Sequence, residues 1–185
     1  HFGLEAGKPV VLVVGGSLGT RTLNEAMKAH ADEIVREGRF QVIWQTGKYY
    51  EREMDEFMRG RDARGIWRGA FIERMDLAYA AAVVARSGAG TVSELCLVGK
   101  AVVFVPSPNV AEDHQTKNAM ALADRGAALV VPDREAVARV FSEAGRLLAD
   151  DAMRSEMEKN IRALAVADSA DRVADEILKV VKRSE

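Results

Sequence analysis

Apolar runs with no polar alternation recur along this chain, and each is followed by residues at helical spacing. The clearest is Val10-Val11-Leu12-Val13-Val14, a β-branched run of the kind that suits a strand covered on both faces. After it, Leu23, Met27, Ile34 and Val35 recur at roughly helical intervals. Read this way, strands fall at 10–14, 40–45, 65–68, 82–86, 101–105 and 128–131. Helices fall at 20–36, 49–58, 75–81, 91–98, 114–125 and 134–149, with two more at 151–165 and 170–181. Gly38, Gly99 and Gly126 stand where helix C-caps are expected. Strands alternating with helices imply βαβ units, hence an α/β fold with a parallel, doubly wound, Rossmann-like sheet. Such sheets bind ligands beyond the carboxyl ends of their strands. The loops at 15–20, 45–48, 69–74, 86–91 and 106–114 are therefore where a site is expected.

The first of these loops is Gly15-Gly16-Ser17-Leu18-Gly19. Glycines between a strand and a helix permit a tight turn and let backbone N–H groups approach a ligand. The helix that follows carries free N–H groups and positive partial charge at its start, which favour phosphate. The alternative is a plain glycine turn in which Ser17 caps the helix.

The surroundings narrow the chemistry. A length of 185 residues fits one domain, and a net charge of −2 offers no global field to recruit nucleic acid or an anionic membrane. Cys96 is the only cysteine, so no internal disulfide forms and a reducing compartment fits. No apolar stretch reaches membrane-spanning length and no signal-peptide pattern opens the chain. The start at His1-Phe2-Gly3, without methionine, fits a piece of a longer or processed polypeptide. The glycine loop is not G-x-G-x-x-G, and the second strand ends at Gln45-Thr46-Gly47 where a nicotinamide site wants an acid. No P-loop pattern is present, the three histidines are scattered, and no Asp-x-Asp suggests a metal; none is expected.

A second glycine junction reads Arg86-Ser87-Gly88-Ala89-Gly90-Thr91-Val92-Ser93-Glu94. Thr91 and Glu94 have the spacing of a capping box, which would give both a local structural role. On the functional reading, the Gly-Ala-Gly-Thr backbone receives a phosphate and Glu94 accepts hydrogen bonds from a sugar diol. A third segment runs from Pro106-Ser107-Pro108-Asn109 to Glu112-Asp113-His114-Gln115-Thr116-Lys117-Asn118. Its prolines stop a strand and stiffen a loop. Either Asp113 caps a helix whose polar face is merely solvated, or Gln115 and Asn118 supply neutral donors and acceptors for a sugar.

Taken in order, these segments resemble the MurG family of bacterial peptidoglycan glycosyltransferases, N-acetylglucosaminyltransferases that convert lipid I to lipid II. The resemblance rests on the first glycine loop with Asn24, Trp44-Gln45-Thr46-Gly47-Lys48, Phe71-Ile72-Glu73-Arg74-Met75, the second glycine junction and the stretch from Phe104 to Ala119. Asp168-Ser169-Ala170-Asp171-Arg172-Val173-Ala174 resembles the family's C-terminal helix, so the likeness runs along nearly the whole chain.

The resemblance implies that residues 1–185 are the carboxy-terminal, donor-binding half of a GT-B enzyme, with UDP-N-acetylglucosamine as donor substrate and no cofactor. By the family pattern Ser17 and its loop, with Gly16 and Gly19, face the diphosphate, and the Ile72 backbone reads the uracil edge. Ala89, Gly90 and Thr91 meet the phosphate and sugar, Glu94 holds the ribose hydroxyls, and Gln115 contacts the N-acetylglucosamine. His114, where some family members carry Gln, and Asn118 complete the expected set. No catalytic residue is assigned within the chain. The acceptor site, the membrane-docking patch and the general base belong to the amino-terminal half, which these residues do not include. The whole enzyme is expected at the cytoplasmic face of the bacterial inner membrane, with lipid I as acceptor. Two other readings stand beside it: a UDP-N-acetylglucosamine 2-epimerase of the same architecture, and a nucleotide-sugar-binding module without chemistry.

Overall fold

The computed structural model describes residues 1–75 and 80–182. In chain order its elements are β1 (Val10–Val14), α1 (Arg21–Glu37), β2 (Gln41–Gln45), α2 (Glu51–Met58), β3 (Ile66–Gly69), β4 (Ala82–Ala85), α3 (Ala89–Val98), β5 (Val102–Phe104), α4 (His114–Ala123), β6 (Leu129–Val130), α5 (Ala136–Ala149), α6 (Asp151–Arg162) and α7 (Ser169–Lys182). The strands form one sheet in the order β3-β2-β1-β4-β5-β6, with every pairing parallel.

Side chains alternate across a strand, so each apolar run feeds two cores. Val11 and Val13 point to one face, where they meet Leu23, Met27 and Ile34 of α1 and Val140 and Phe141 of α5. Leu12 points to the other, with Leu95 and Cys96 of α3, Ala119 and Leu122 of α4, and Ile161 of α6. Both faces are covered, which is why these strands carry no polar alternation.

Helix ends follow the glycines. Gly38 and Gly99 adopt the left-handed conformation and return their N–H groups to Ile34 and Leu95, each at 2.9 Å. Gly126 closes α4 two residues later than a simple cap, with Ala127 N–H donating to Leu122 O (3.0 Å) in a Schellman arrangement. Strand ends are shorter than the apolar runs because pairing stops before apolarity does. β6, an edge strand, is two residues long, Leu129 and Val130 standing beside Val103 and Phe104 of β5. The helix expected over 75–81 falls on residues 76–79, outside the described residues. On their far side, Ala81 N–H already donates to Val10 O (2.8 Å) at the sheet.

The order of strands positions the site. β1 lies between β2 and β4, so successive connections leave it in opposite directions. That reversal opens a crevice beyond the carboxyl ends of β1 and β4. The last helix stands apart: residues 166–179 are exposed throughout, including Val173, Ile177 and Leu178.

Candidate functional site

A cleft of about 630 Å³ occupies the crevice. It is walled by the β1–α1 loop, the β4–α3 turn, the loop after β5 and the turn after β6. A more enclosed groove of about 270 Å³ lies between α1 and α5 beside His30, Phe40 and Phe141. None of the post-strand loops reaches that groove, so the cleft is the candidate site.

The glycine loop is built by backbone contact. Gly19 and Gly47 both have φ above +80°, and a Cβ on Gly47 would lie 2.1 Å from the Cα of Gly19. The loop is therefore pressed against the β2–α2 turn, and Lys48 N–H donates to Ser17 O (3.2 Å). Asn24, fully buried, locks the same junction. Its Nδ2 donates to Thr46 O (2.9 Å) and its Oδ1 accepts from the Trp44 indole (2.8 Å).

Two helices begin at the cleft without a side-chain cap. At α1 the N-cap is Thr20, not Ser17, and its hydroxyl donates backward to Gly15 O (2.9 Å). At α3 the N-cap is Gly88. The capping box read from Thr91 and Glu94 does not form, because the chain turns helical at Ala89 and both residues lie inside the helix. Asp113 does occupy the N-cap position of α4, in a left-handed conformation and with no side-chain bond to the helix. The N-terminal N–H groups of α1 and α3 are thus left to whatever enters the cleft. Gly88 and Gly90 have no heavy atom within 4 Å of where a Cβ would stand, so that turn has open space above it.

Arg86, at the end of β4, was not singled out as a site residue in the sequence, yet it ties the walls together. Its guanidinium donates to Val105 O (2.8 Å), Pro106 O (3.0 Å) and Thr22 Oγ1 (3.3 Å). Nη1 also lies 2.6 Å from Asp133 Oδ1, an ion pair off the hydrogen-bond direction, and Asp133 Oδ1 accepts no other bond. A strand-end arginine reads as solvated in sequence; only the meeting of β5, β6 and α1 gives it partners.

Of the residues singled out in the sequence, Gly16, Gly19, Thr91 and Gln115 line the cleft together. Gln115 Oε1 accepts from Ser107 N–H (3.0 Å), which fixes the side chain against the β5 loop. Asn118 is turned to a structural bond, its Nδ2 donating to Ser87 O (3.0 Å). Ser87 is fully buried and donates to Gln115 O (2.8 Å), so α4 and the second glycine junction are fastened to each other. Ser17, Ala89, Gly90, Glu94 and His114 are exposed and do not line the cleft. His114 Nδ1 donates to Ala111 O at 2.9 Å. Ile72 is buried, its side chain part of the core beneath α3 and α4. His30 lies elsewhere, with its ring nitrogens on Glu33 (3.0 Å) and Val137 O (2.8 Å). The carboxyl of Glu33 is held below its usual range chiefly by that hydrogen bond. Among the described residues no group of three or more His, Cys, Asp or Glu side chains could hold a metal ion. No helix among them is long and apolar enough to cross a membrane.

The fold is that of a glycosyltransferase domain of the GT-B type. Within that class the chain belongs to the glycosyltransferase family 28 C-terminal domains, whose pattern it matches over residues 10–173. It is similar to the UDP-N-acetylglucosamine–N-acetylmuramyl-(pentapeptide) pyrophosphoryl-undecaprenol N-acetylglucosamine transferase of Parabacteroides distasonis, at 46% identity over 98% of this chain and 50% of that protein. The crystal structure of Acinetobacter baumannii MurG superposes with a TM-score of 0.77 at 32% identity, covering 95% of this chain and 53% of that one. A UDP-N-acetylglucosamine 2-epimerase structure shares the fold alone, at 17% identity and a TM-score of 0.60 over 96% of this chain and 44% of that one. The chain spans about half the length of the curated relatives it matches.

Proposed function

We propose that this chain is the donor-binding half of an inverting glycosyltransferase. The whole enzyme would carry N-acetylglucosamine from UDP-N-acetylglucosamine to the muramyl 4-hydroxyl of lipid I, giving lipid II. The observation that carries the reading is the convergence of two uncapped helix N-termini, those of α1 and α3, on one open cleft at the switch point of the sheet. Relatives named for this transfer, at 41–47% identity, support the substrate assignment.

As the glycosidic bond to the leaving UDP breaks, negative charge grows on the diphosphate. Backbone N–H groups held at helix ends stabilise that charge and need no reorganisation when it forms. On this reading Gly16 and Gly19 face the diphosphate from one wall and Thr91 from the other, with the exposed Ser17, Ala89 and Gly90 beside them in the same turns. Gln115, braced by Ser107, meets the N-acetylglucosamine, with His114 and Asn118 beside it. Glu94 lies three residues beyond Thr91 on the same helix face and takes the ribose diol. The Ile72 backbone reads uracil.

Attack also requires removal of a proton from the acceptor hydroxyl. His30 is engaged at both ring nitrogens far from the cleft, and His114 is bonded to Ala111 O. We therefore assign the base, the acceptor site and the contact with the cytoplasmic membrane face to the amino-terminal half of the longer polypeptide. The epimerase reading has the shared fold behind it, but among the described residues the cleft holds no acid–base pair, its one carboxylate there, Asp133, being paired with Arg86.

Calorimetric titration of UDP-N-acetylglucosamine into the 185-residue chain tests the donor half of the proposal. Saturable binding, with no turnover of a lipid I analogue unless the amino-terminal half is present, is the expected result. Absence of binding overturns the donor-site assignment. Transfer by this chain alone overturns the division of labour.

A further inference from the structure

The cleft lining includes three charged side chains: Arg21, Arg86 and Asp133. Two of them answer each other, since Arg86 is spent on Asp133 and on the carbonyls of Val105 and Pro106. Arg21 is different. It is the first residue of α1, directly after the N-cap Thr20, and it is exposed toward the cleft. Among the described residues its side chain has no ion pair or hydrogen bond.

Its position is electrostatically unfavourable for the free chain. A cation beside the positive end of a helix is repelled, and the first turn of α1 holds no acidic residue to offset it. Thr20, which could have capped the helix, turns its hydroxyl to Gly15 O instead. An unpaired guanidinium, a bare helix end and a glycine loop with φ of +82° at Gly16 therefore lie within one turn of chain, all facing the same cleft. Among the described residues nothing balances that concentration of positive charge. An anionic ligand does, and a diphosphate has the charge and the row of acceptor oxygens to take both the N–H groups and the planar fork of an arginine.

We infer that Arg21 is a diphosphate-binding residue of the donor site, supplying the only side-chain charge of the cleft lining that is not already neutralised among the described residues. This rests on the donor-site reading above and deepens it. Arg21 makes the affinity of the site depend on the ligand's phosphates and on salt. The base and ribose are held by other groups and are indifferent to it.

The test uses calorimetry on the 185-residue chain with UDP and uridine as ligands, at two salt concentrations. Variants are Arg21→Gln, Arg21→Lys and, as a control on α2 away from the cleft, Arg52→Gln. Removing one charged hydrogen-bonding partner is expected to weaken UDP by about tenfold or more and to flatten its salt dependence. Uridine binding should be unchanged, Arg21→Lys should recover part of the loss, and Arg52→Gln should match the unaltered chain. If the unaltered chain binds UDP and Arg21→Gln binds it equally with the same salt dependence, the role of Arg21 is overturned and the donor site stands. Equal loss for UDP and uridine also overturns it, since that result means a disturbed fold. If the unaltered chain binds no UDP, the donor-site reading itself fails.

Discussion

Gly16 and Gly47 make a matched pair for testing how the glycine loop is held. Both have φ of +82°, so alanine at either meets the same backbone penalty of roughly 1–2 kcal/mol. Their surroundings differ. At Gly16 a new Cβ has no heavy atom within 4 Å, whereas at Gly47 it would stand 2.1 Å from both the Cα and the N of Gly19 and 2.4 Å from the carbonyl carbon of Leu18. Those are main-chain atoms with no rotamer to yield, so the loop itself must move. Overpacking of this kind adds about 1–3 kcal/mol. For a domain of this size each kcal/mol lowers the melting temperature by about 2–4 °C. Gly16→Ala should therefore lose a few degrees, and Gly47→Ala on the order of 10 °C, by calorimetric or fluorescence melting. Gly47→Ala should also weaken UDP, although Gly47 does not line the cleft. Equal melting shifts for the two variants would refute the claim that backbone contact with Gly47 fixes the loop.

Glu94→Ala should weaken UDP by about 1.5–3 kcal/mol in calorimetry and erase discrimination against 2′-deoxy-UDP. Because no capping box forms, its melting temperature should hardly change, and a large drop would return Glu94 to a structural role. UDP should bind at least about tenfold more tightly than CDP, since cytosine reverses the donor and acceptor facing the Ile72 backbone, and Ile72→Val should leave that ratio intact; comparable affinities would sink the uracil assignment. Burial pushes the Cys96 thiol up and hides it on the inner face of α3, so a thiol reagent at mildly alkaline pH should label it far more slowly in the folded chain than in denaturant. Hydrogen exchange in α7, exposed along its described length, should be much faster than in α3, and equal protection would mean that α7 is held by contacts not seen here.

The strands were legible because burial on both faces leaves an unbroken β-branched signature, as in Val10–Val14. The helix stops at Gly38 and Gly99 were legible because an αL cap strongly favours glycine. Helix starts were harder. Thr91 and Glu94 have capping-box spacing, but spacing does not say where the chain turns, and Gly88 turns it first. Ser17 looked like a cap for the same reason, while the cap position falls to Thr20. Of the site, the glycine loops were readable because they break a local pattern. Arg86 and Asp133 were not, since what joins them is which strands become neighbours. Strand order is a property of long-range pairing that no local window contains. The double role of Gly47, remote in sequence from Gly19 yet in contact with it, was hidden for the same reason.

The two uncapped helix starts bear on how such a site can change over time. Most binding residues can be lost by a single substitution, because the binding group is a side chain. A peptide N–H is common to every amino acid except proline, and proline at these turns would alter the chain path as well. Drift at Ala89 or at Leu18 can reshape the rim but cannot delete the donors beneath it. A ligand that takes its grip from those donors leaves the protein few single-step routes of escape.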